Sequence, residues 1–195
     1  MTRIIAGAAG GRRIAVPGGR TTRPTSDRAR EALFASVVSD LGPLDGLRAL
    51  DLYAGSGAIG LEALSRGAAH ALLVESDRRA LSVLRANAAS LGLPGARIAG
   101  DRVQRVLDAG PRDGDGGYDL VVADPPYAVT EAEVGAVLAA LRDHGWLAPG
   151  ALVVVERAAR GPGLEWPEGF AGDRVRRYGE AALWYGHAAS PSGHS

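Results

Sequence analysis

Four short runs, LRALDL (47–52), HALLVE (70–75), YDLVVA (118–123) and ALVVVE (151–156), are apolar at most positions where an exposed strand would alternate with polar residues. A strand that is apolar on both faces must be covered on both. The chain between the runs has helical spacing, and together these predict an α/β fold with a mostly parallel central sheet and helices on both faces. Helices are expected over Ala58–Arg66 and over Arg78–Leu91, where Leu81, Leu84, Ala88 and Leu91 share a face and Gly92 with Pro94 ends the helix. A short strand is expected at Ala96–Gly100 and a brief helix near Val103–Ala109. Thr130 and Glu133 form a capping box ahead of a helix whose inner face is Val134, Val137, Leu138 and Leu141. Residues 174–186 read as a closing pair of strands turning near Gly179, and a loose polar tail is expected from Ala188.

Ahead of the first run lies a segment of different character. Ile4, Ile5, Ile14 and Val16 around a glycine-rich turn predict a hairpin. Thr25 is expected to cap a helix running to about Val38, with an apolar stripe of Ala29, Leu33, Phe34, Val37 and Val38 and with Arg28 and Arg30 off it. The turn residues Gly42, Pro43, Asp45 and Gly46 divide the chain into an N-terminal arm (1–42), a main domain (43–187) and a tail (188–195). Charge is balanced, 22 basic against 22 acidic residues, and every basic residue is arginine. Residues 1–30 nevertheless hold seven arginines (Arg3, Arg12, Arg13, Arg20, Arg23, Arg28, Arg30) against the single acid Asp27, a net of +6. Such a basic head is expected to meet a polyanion, although a merely solvated arginine face fits the composition equally well.

The absence of cysteine excludes a disulfide framework, thiolate metal sites and cysteine nucleophiles. No apolar run approaches the roughly 18 residues of a membrane span, and the N-terminus lacks the apolar stretch of a signal peptide, so the chain reads as cytoplasmic and without a membrane partner; a monomer that holds no metal is also expected.

In parallel sheets ligands bind where the strands end. The first run leads into Asp51, Leu52, Tyr53, Ala54, Gly55, Ser56, Gly57, Ala58, Ile59, Gly60, so that Gly55, Gly57 and Gly60 match G-x-G-x-x-G, and Glu75 follows Gly55 by 20 residues. Alone, this also suits a nicotinamide or flavin enzyme, and packing glycines produce the same pattern. Asp51 at the mouth of the strand would repel a pyrophosphate and suits a cationic ligand. S-adenosylmethionine, with a sulfonium, an amine and a ribose but no phosphate, answers that description. Asp101 could accept from an adenine amine or cap the next helix. Asp124-Pro125-Pro126-Tyr127 then follows directly on a buried strand. Consecutive prolines stiffen the exit, and a carboxylate, a fixed carbonyl and an aromatic face make a seat for a planar amine.

On these residues the chain resembles the class I S-adenosylmethionine methyltransferases that carry a D/N-P-P-Y/F motif. Through RPTSDRAREALF with MTRIIAGAAGGRRI, LDLYAGSGAIGLEALSRGA, VESD and VADPPY, it is similar to the RsmD-type 16S ribosomal RNA guanine-N2 methyltransferases. The resemblance implies a Rossmann-like fold and methylation of the exocyclic N2 of one guanine in 16S rRNA, in a small-subunit assembly particle. It implies S-adenosylmethionine contacts from Asp51, Tyr53, Gly55, Gly57, Glu75 and Asp101, and catalysis by Asp124, Pro125 and Tyr127. RNA contacts are expected from Arg12, Arg13, Arg20, Arg23, Arg28 and Arg30. DNA or other RNA base-amine methylation, a nicotinamide-dependent oxidoreductase, and a noncatalytic RNA-binding factor are the competing readings. The four histidines show no metal-ligand spacing. Ser56 sits in AGSGA, not in a hydrolase elbow. Glu31 and Glu62 read as surface or capping charges.

Overall fold

The computed structural model describes residues 2–18, 26–112 and 116–190. In chain order these form β1 (Thr2–Arg3), β2 (Arg13–Ile14), α1 (Asp27–Leu41), β3 (Arg48–Leu52), α2 (Ala58–Ser65), β4 (His70–Val74), α3 (Arg78–Leu91) and β5 (Ala96–Ala99). They continue with α4 (Val103–Asp108), β6 (Tyr118–Ala123), α5 (Glu131–Asp143), β7 (Leu147–Ala158), β8 (Phe170–Tyr178) and β9 (Ala181–Ala188).

The apolar runs are the parallel strands of one seven-stranded sheet, ordered β5-β4-β3-β6-β7-β9-β8. β5, β4, β3, β6 and β7 are parallel, while β9 runs antiparallel to β7 and β8 antiparallel to β9. The parity of the strands explains why both faces had to be apolar. Ala49, Leu73, Leu120, Val122 and Val154 pack with Leu33, Leu61 and Leu84 from α1, α2 and α3 on one face. Leu50, Leu72, Val121, Val153 and Val155 pack with Val103 and Leu107 of α4 and Val134 and Leu138 of α5 on the other. The order of construction reverses between β3 and β6, so the loops leaving these two strands diverge and open a crevice there.

Local chemistry ends the helices much as the sequence implies. Thr130 and Glu133 make the reciprocal capping box of α5, and Asp77 caps α3, which closes on Gly92. The N-cap of α1 is Ser26, whose Oγ accepts from the Ala29 N–H at 3.1 Å. Thr25, expected in that role, lies outside the described residues. α1 also continues past Val38 to Leu41, and Val38, placed on the apolar stripe, is 42% exposed. β9 extends through Ala188, which is buried, so the chain is ordered past the point where a tail was expected to begin.

The hairpin of β1 and β2 is short, and the arm is bound into the main domain. Ile4, Ala9 and Ile14 belong to the same apolar cluster as α1, α2 and α3. The Glu62 carboxylate accepts from the Ile5 N–H at 2.9 Å. Ser65 Oγ accepts from the Ala9 N–H at 2.9 Å and donates to the Ala6 carbonyl at 2.6 Å. Asn87 accepts from the Ala15 N–H and donates to the carbonyls of Ala15 and Ser56, each at 2.9 Å. Glu62, read as a surface or capping charge, is thus fully buried. A backbone that leaves regular structure still needs acceptors for its buried N–H groups, and α2 supplies them.

Arg30 departs most from expectation. Assigned to RNA contact because it falls off the apolar stripe, it is 0% exposed. Its guanidinium donates to the Arg3 carbonyl and to Asp27 at 3.0 Å, and lies 4.0 Å from Glu62. Burial lowers its pKa while the two acids oppose that shift. The hairpin covers the polar side of α1, which helical periodicity alone assigns to water.

Candidate active site

β3 delivers its chain into the crevice through Tyr53, whose φ of 60° is the one left-handed non-glycine backbone among the described residues. A bulky residue rarely adopts that conformation. It is held by the Ala54 N–H donating to the Val74 carbonyl at 2.9 Å and the Gly57 N–H donating to the Ala54 carbonyl at 2.8 Å. Burial raises the Tyr53 pKa, with Glu133 adding to the shift.

The glycines divide by role. A Cβ on Gly57 would stand 2.4 Å from Leu84 Cδ1, so that position lets α3 close on the loop. A Cβ on Gly55 would meet nothing within 4 Å, and this is where a ligand can approach the backbone. The Gly55 N–H donates to Glu75 Oε1 at 2.8 Å, while Glu75 Oε2 accepts from the Ser76 and Asp77 N–H groups at 2.8 Å each. Glu75 is thereby fixed at the end of β4, facing the loop it was expected to work beside.

Asp51 is not placed for ligand contact. It is 3% exposed, and its Oδ2 accepts from the Gly60 N–H at 2.9 Å, satisfying an N-terminal donor of α2 that Gly57 as N-cap has no side chain to reach. Burial pushes its carboxyl up to about 8, against the pull of that hydrogen bond. It lies within β3, two residues short of Tyr53 on the cavity wall, and its carboxyl is taken up by the N-terminus of α2. Asp101 is also missing from the crevice wall: it accepts from the Arg102 N–H at 2.7 Å and lies 3.6 Å from Arg105. It does not cap α4 either, whose N-cap is Arg102.

One cavity of about 1450 Å³ runs along the strand ends. Its wall includes Tyr53 after β3, Glu75 after β4, Asp124, Pro125, Pro126 and Tyr127 after β6, Glu156 near the end of β7, and the β8–β9 turn at Gly179 and Glu180. Arg28 of α1 and Pro17 and Gly18 of the arm complete it. Pro125 is buried and Tyr127 stands 62% exposed, a rigid root with a free aromatic face. Burial, reinforced first by Glu156 and then by Asp51, holds the Asp124 carboxyl well above the usual carboxylate range, and Arg157 opposes this.

Glu156 and Arg157 escape a motif search because neither belongs to one. The rule that ligands meet strand ends, applied to the last of the four apolar runs as to the other three, points to Glu156. Arg157 is buried, pairs with Glu131 at 2.6 Å and donates to the Val129 carbonyl at 2.8 Å, anchoring the chain that follows Tyr127 to β7.

Of the arm arginines, Arg3, Arg12, Arg13 and Arg28 are exposed. Arg12 donates to the Ser90 carbonyl at 2.7 Å and the Leu91 carbonyl at 3.4 Å at the end of α3. Arg20 and Arg23 lie outside the described residues.

The family described as Conserved hypothetical protein 95 matches residues 2–187. Ribosomal RNA small subunit methyltransferase D of Escherichia coli K12 is 41% identical over 157 residues, covering 79% of this chain and 73% of that protein. The Haemophilus influenzae protein of the same name is 32% identical over 154 residues, covering 79% and 77%. Among solved structures, hypothetical protein TTHA0928 of Thermus thermophilus superposes with a TM-score of 0.78 at 36% identity, covering 95% of this chain and 98% of that one.

Proposed function

The chain belongs to the Conserved hypothetical protein 95 family and is an S-adenosylmethionine-dependent methyltransferase of the RsmD-like rRNA kind, and we propose that it methylates the exocyclic N2 of one guanine in 16S rRNA, within small-subunit particles in the cytoplasm. The observation that supports the substrate class is the seat at the end of β6, where the Asp124 carboxylate, the Pro125 carbonyl and the exposed Tyr127 ring stand together on a cavity wall.

The residues present fit the cofactor. Glu75, at the end of β4, lines the cavity beside the glycine loop, an acceptor suited to a ligand with hydroxyl groups and hostile to a pyrophosphate. Gly55 leaves open space for close approach, and Glu75 stands beside it for a ribose. Tyr53 walls the same end of the cavity. Asp51 and Gly57 shape this seat from behind, through α2 and α3. When bound, S-adenosylmethionine supplies a methyl group made electrophilic by its sulfonium.

The chain's own part is alignment and proton acceptance. A guanine amine is a weak nucleophile because its lone pair is delocalised into the ring. Hydrogen bonds from its N–H groups to Asp124 and the Pro125 carbonyl favour a pyramidal nitrogen, and Tyr127 holds the ring plane by stacking. As nitrogen gains the methyl group it must lose a proton. Asp124, whose pKa is raised by burial, is a stronger acceptor than an exposed carboxylate once ionised. Arg157 steadies the loop that carries these groups.

The test incubates the protein with labelled S-adenosylmethionine and, separately, undermodified small subunits, free rRNA and DNA, and then maps the modified base. Label on guanine N2 of the small-subunit RNA is expected. Label on adenine, or on DNA alone, overturns the proposal.

A further inference from the structure

Where the sheet passes from β6 to β7, Ala123 stands opposite Val155 in parallel register. The next residue on each strand is an acid, Asp124 and Glu156, and residues in register on parallel strands point the same way. Both line the cavity. Strand order then fixes which end of the cavity Glu156 serves. Tyr53 and Glu75 leave β3 and β4 on one side of β6, while β7 lies on the other, so Glu156 stands across Asp124 from the glycine loop. A ligand that fills the loop end leaves Glu156 to whatever sits beyond Asp124. The cavity's about 1450 Å³ exceeds the usual range of a single small-molecule pocket, leaving room for a base beside the cofactor.

We propose that Glu156 is the residue that selects guanine, its carboxylate accepting from the base N1–H while Asp124 beside it accepts from the N2 amine. This rests on the reading that the base methylated is guanine. The Watson–Crick edge of guanine presents N1–H and the 2-amino group as adjacent donors, and two ionised carboxylates offer only acceptors. Adenine places a bare N1 acceptor next to its amine. In this site that lone pair would face Glu156, and a desolvated acceptor against an acceptor is the kind of mismatch by which buried polar sites reject a wrong substrate. The mutual influence of the two acids agrees with this arrangement: Glu156 is the largest charge acting to raise the Asp124 carboxyl. A row of donors relieves both. Arg157, the next residue, is buried and tied to Glu131 and Val129, which fixes the strand end from which Glu156 projects.

The test uses small-subunit particles reconstituted on rRNA that carries either guanine or 2-aminopurine at the methylated position. 2-Aminopurine keeps the 2-amino group but presents N1 as an acceptor. Wild-type protein is expected to prefer guanine by about 100-fold or more in kcat/KM. In Glu156→Gln the amide can donate to N1, and the preference should fall by about 10-fold or more, with S-adenosylmethionine affinity unchanged. Glu156→Ala should lose turnover on guanine without gaining on 2-aminopurine. A guanine preference equal in wild type and Glu156→Gln overturns the inference. So does loss of cofactor binding in either variant, which would place Glu156 with the cofactor, and so does inactivity of Glu156→Gln on both bases. If wild-type protein leaves guanine particles unmethylated, the guanine reading itself fails, and this inference with it.

Discussion

The Asp51 carboxylate accepts a hydrogen bond from the Gly60 N–H at 2.9 Å while almost wholly buried, so one side chain closes the glycine loop by capping the helix that follows it. Its folded-state pKa of about 8 lies above the roughly 3.9 expected of an unfolded Asp. Between these values the native state holds a proton that the unfolded state has released, so this residue makes stability fall as pH rises. Asp51→Asn retains an oxygen to accept from Gly60 and cannot ionise. Its melting temperature relative to wild type should therefore rise from pH 5 to pH 8, and parallel curves for the two proteins would show that Asp51 does not titrate in this range.

Glu62 and Arg30 share the interface between the arm and α2. Glu62→Ala strips acceptors from the Ile5 N–H and leaves the buried Arg30 guanidinium with weaker compensation. Breaking a buried pair in this way costs about 3–5 kcal/mol, and Arg30→Ala should cost a similar amount. The double variant should lose less than the sum of the two. Urea unfolding of the three proteins measures this, and strict additivity would mean that the two residues act independently.

Asp124→Ala should fold and bind S-adenosylmethionine yet lose on the order of 10²-fold or more in turnover, the scale for a positioned proton acceptor. Because burial and Glu156 raise the Asp124 carboxyl, the wild-type rate should climb with pH across a limb above the ordinary Asp range as the carboxylate forms. Single-turnover methylation from pH 5 to pH 9 gives both results. A variant with near-normal turnover would remove Asp124 from the mechanism.

RNA binding should respond differently to the arm arginines. Neutralising exposed Arg13 or Arg28 should reduce the log–log salt slope of particle binding by roughly 0.7 to 0.9 for each phosphate that the side chain had neutralised. Replacing buried Arg30 should lower stability and leave the slope in place. Titration of small subunits at several salt concentrations separates these outcomes. An unchanged slope for both Arg13 and Arg28 would place the RNA elsewhere.

The strands and helices were legible because both faces of the sheet are apolar and the caps are local: α3 spans Arg78–Leu91 as its pattern indicates, and β6 ends at Ala123 directly before Asp124. What escaped depends on distant chain. Arg30 and Glu62 read as polar positions on amphipathic helices, and only the hairpin folded over them makes them interior. Asp51 lies two residues short of Tyr53, which reaches the cavity wall, and its carboxyl is taken up by the N-terminus of α2 instead. Glu156 has no motif around it, and its place beside Asp124 comes from the pairing of β7 with β6.

Asn87 joins Ala15 of the arm to Ser56 of the glycine loop through one amide. The segment that begins the chain is therefore no detachable cassette. Grafted onto another scaffold, residues 2–18 would arrive without the acceptors on α2 and α3 that complete them, and in their own protein they should unfold in the same transition as the loop they touch. A protease that finds the arm open has also found the cofactor seat open.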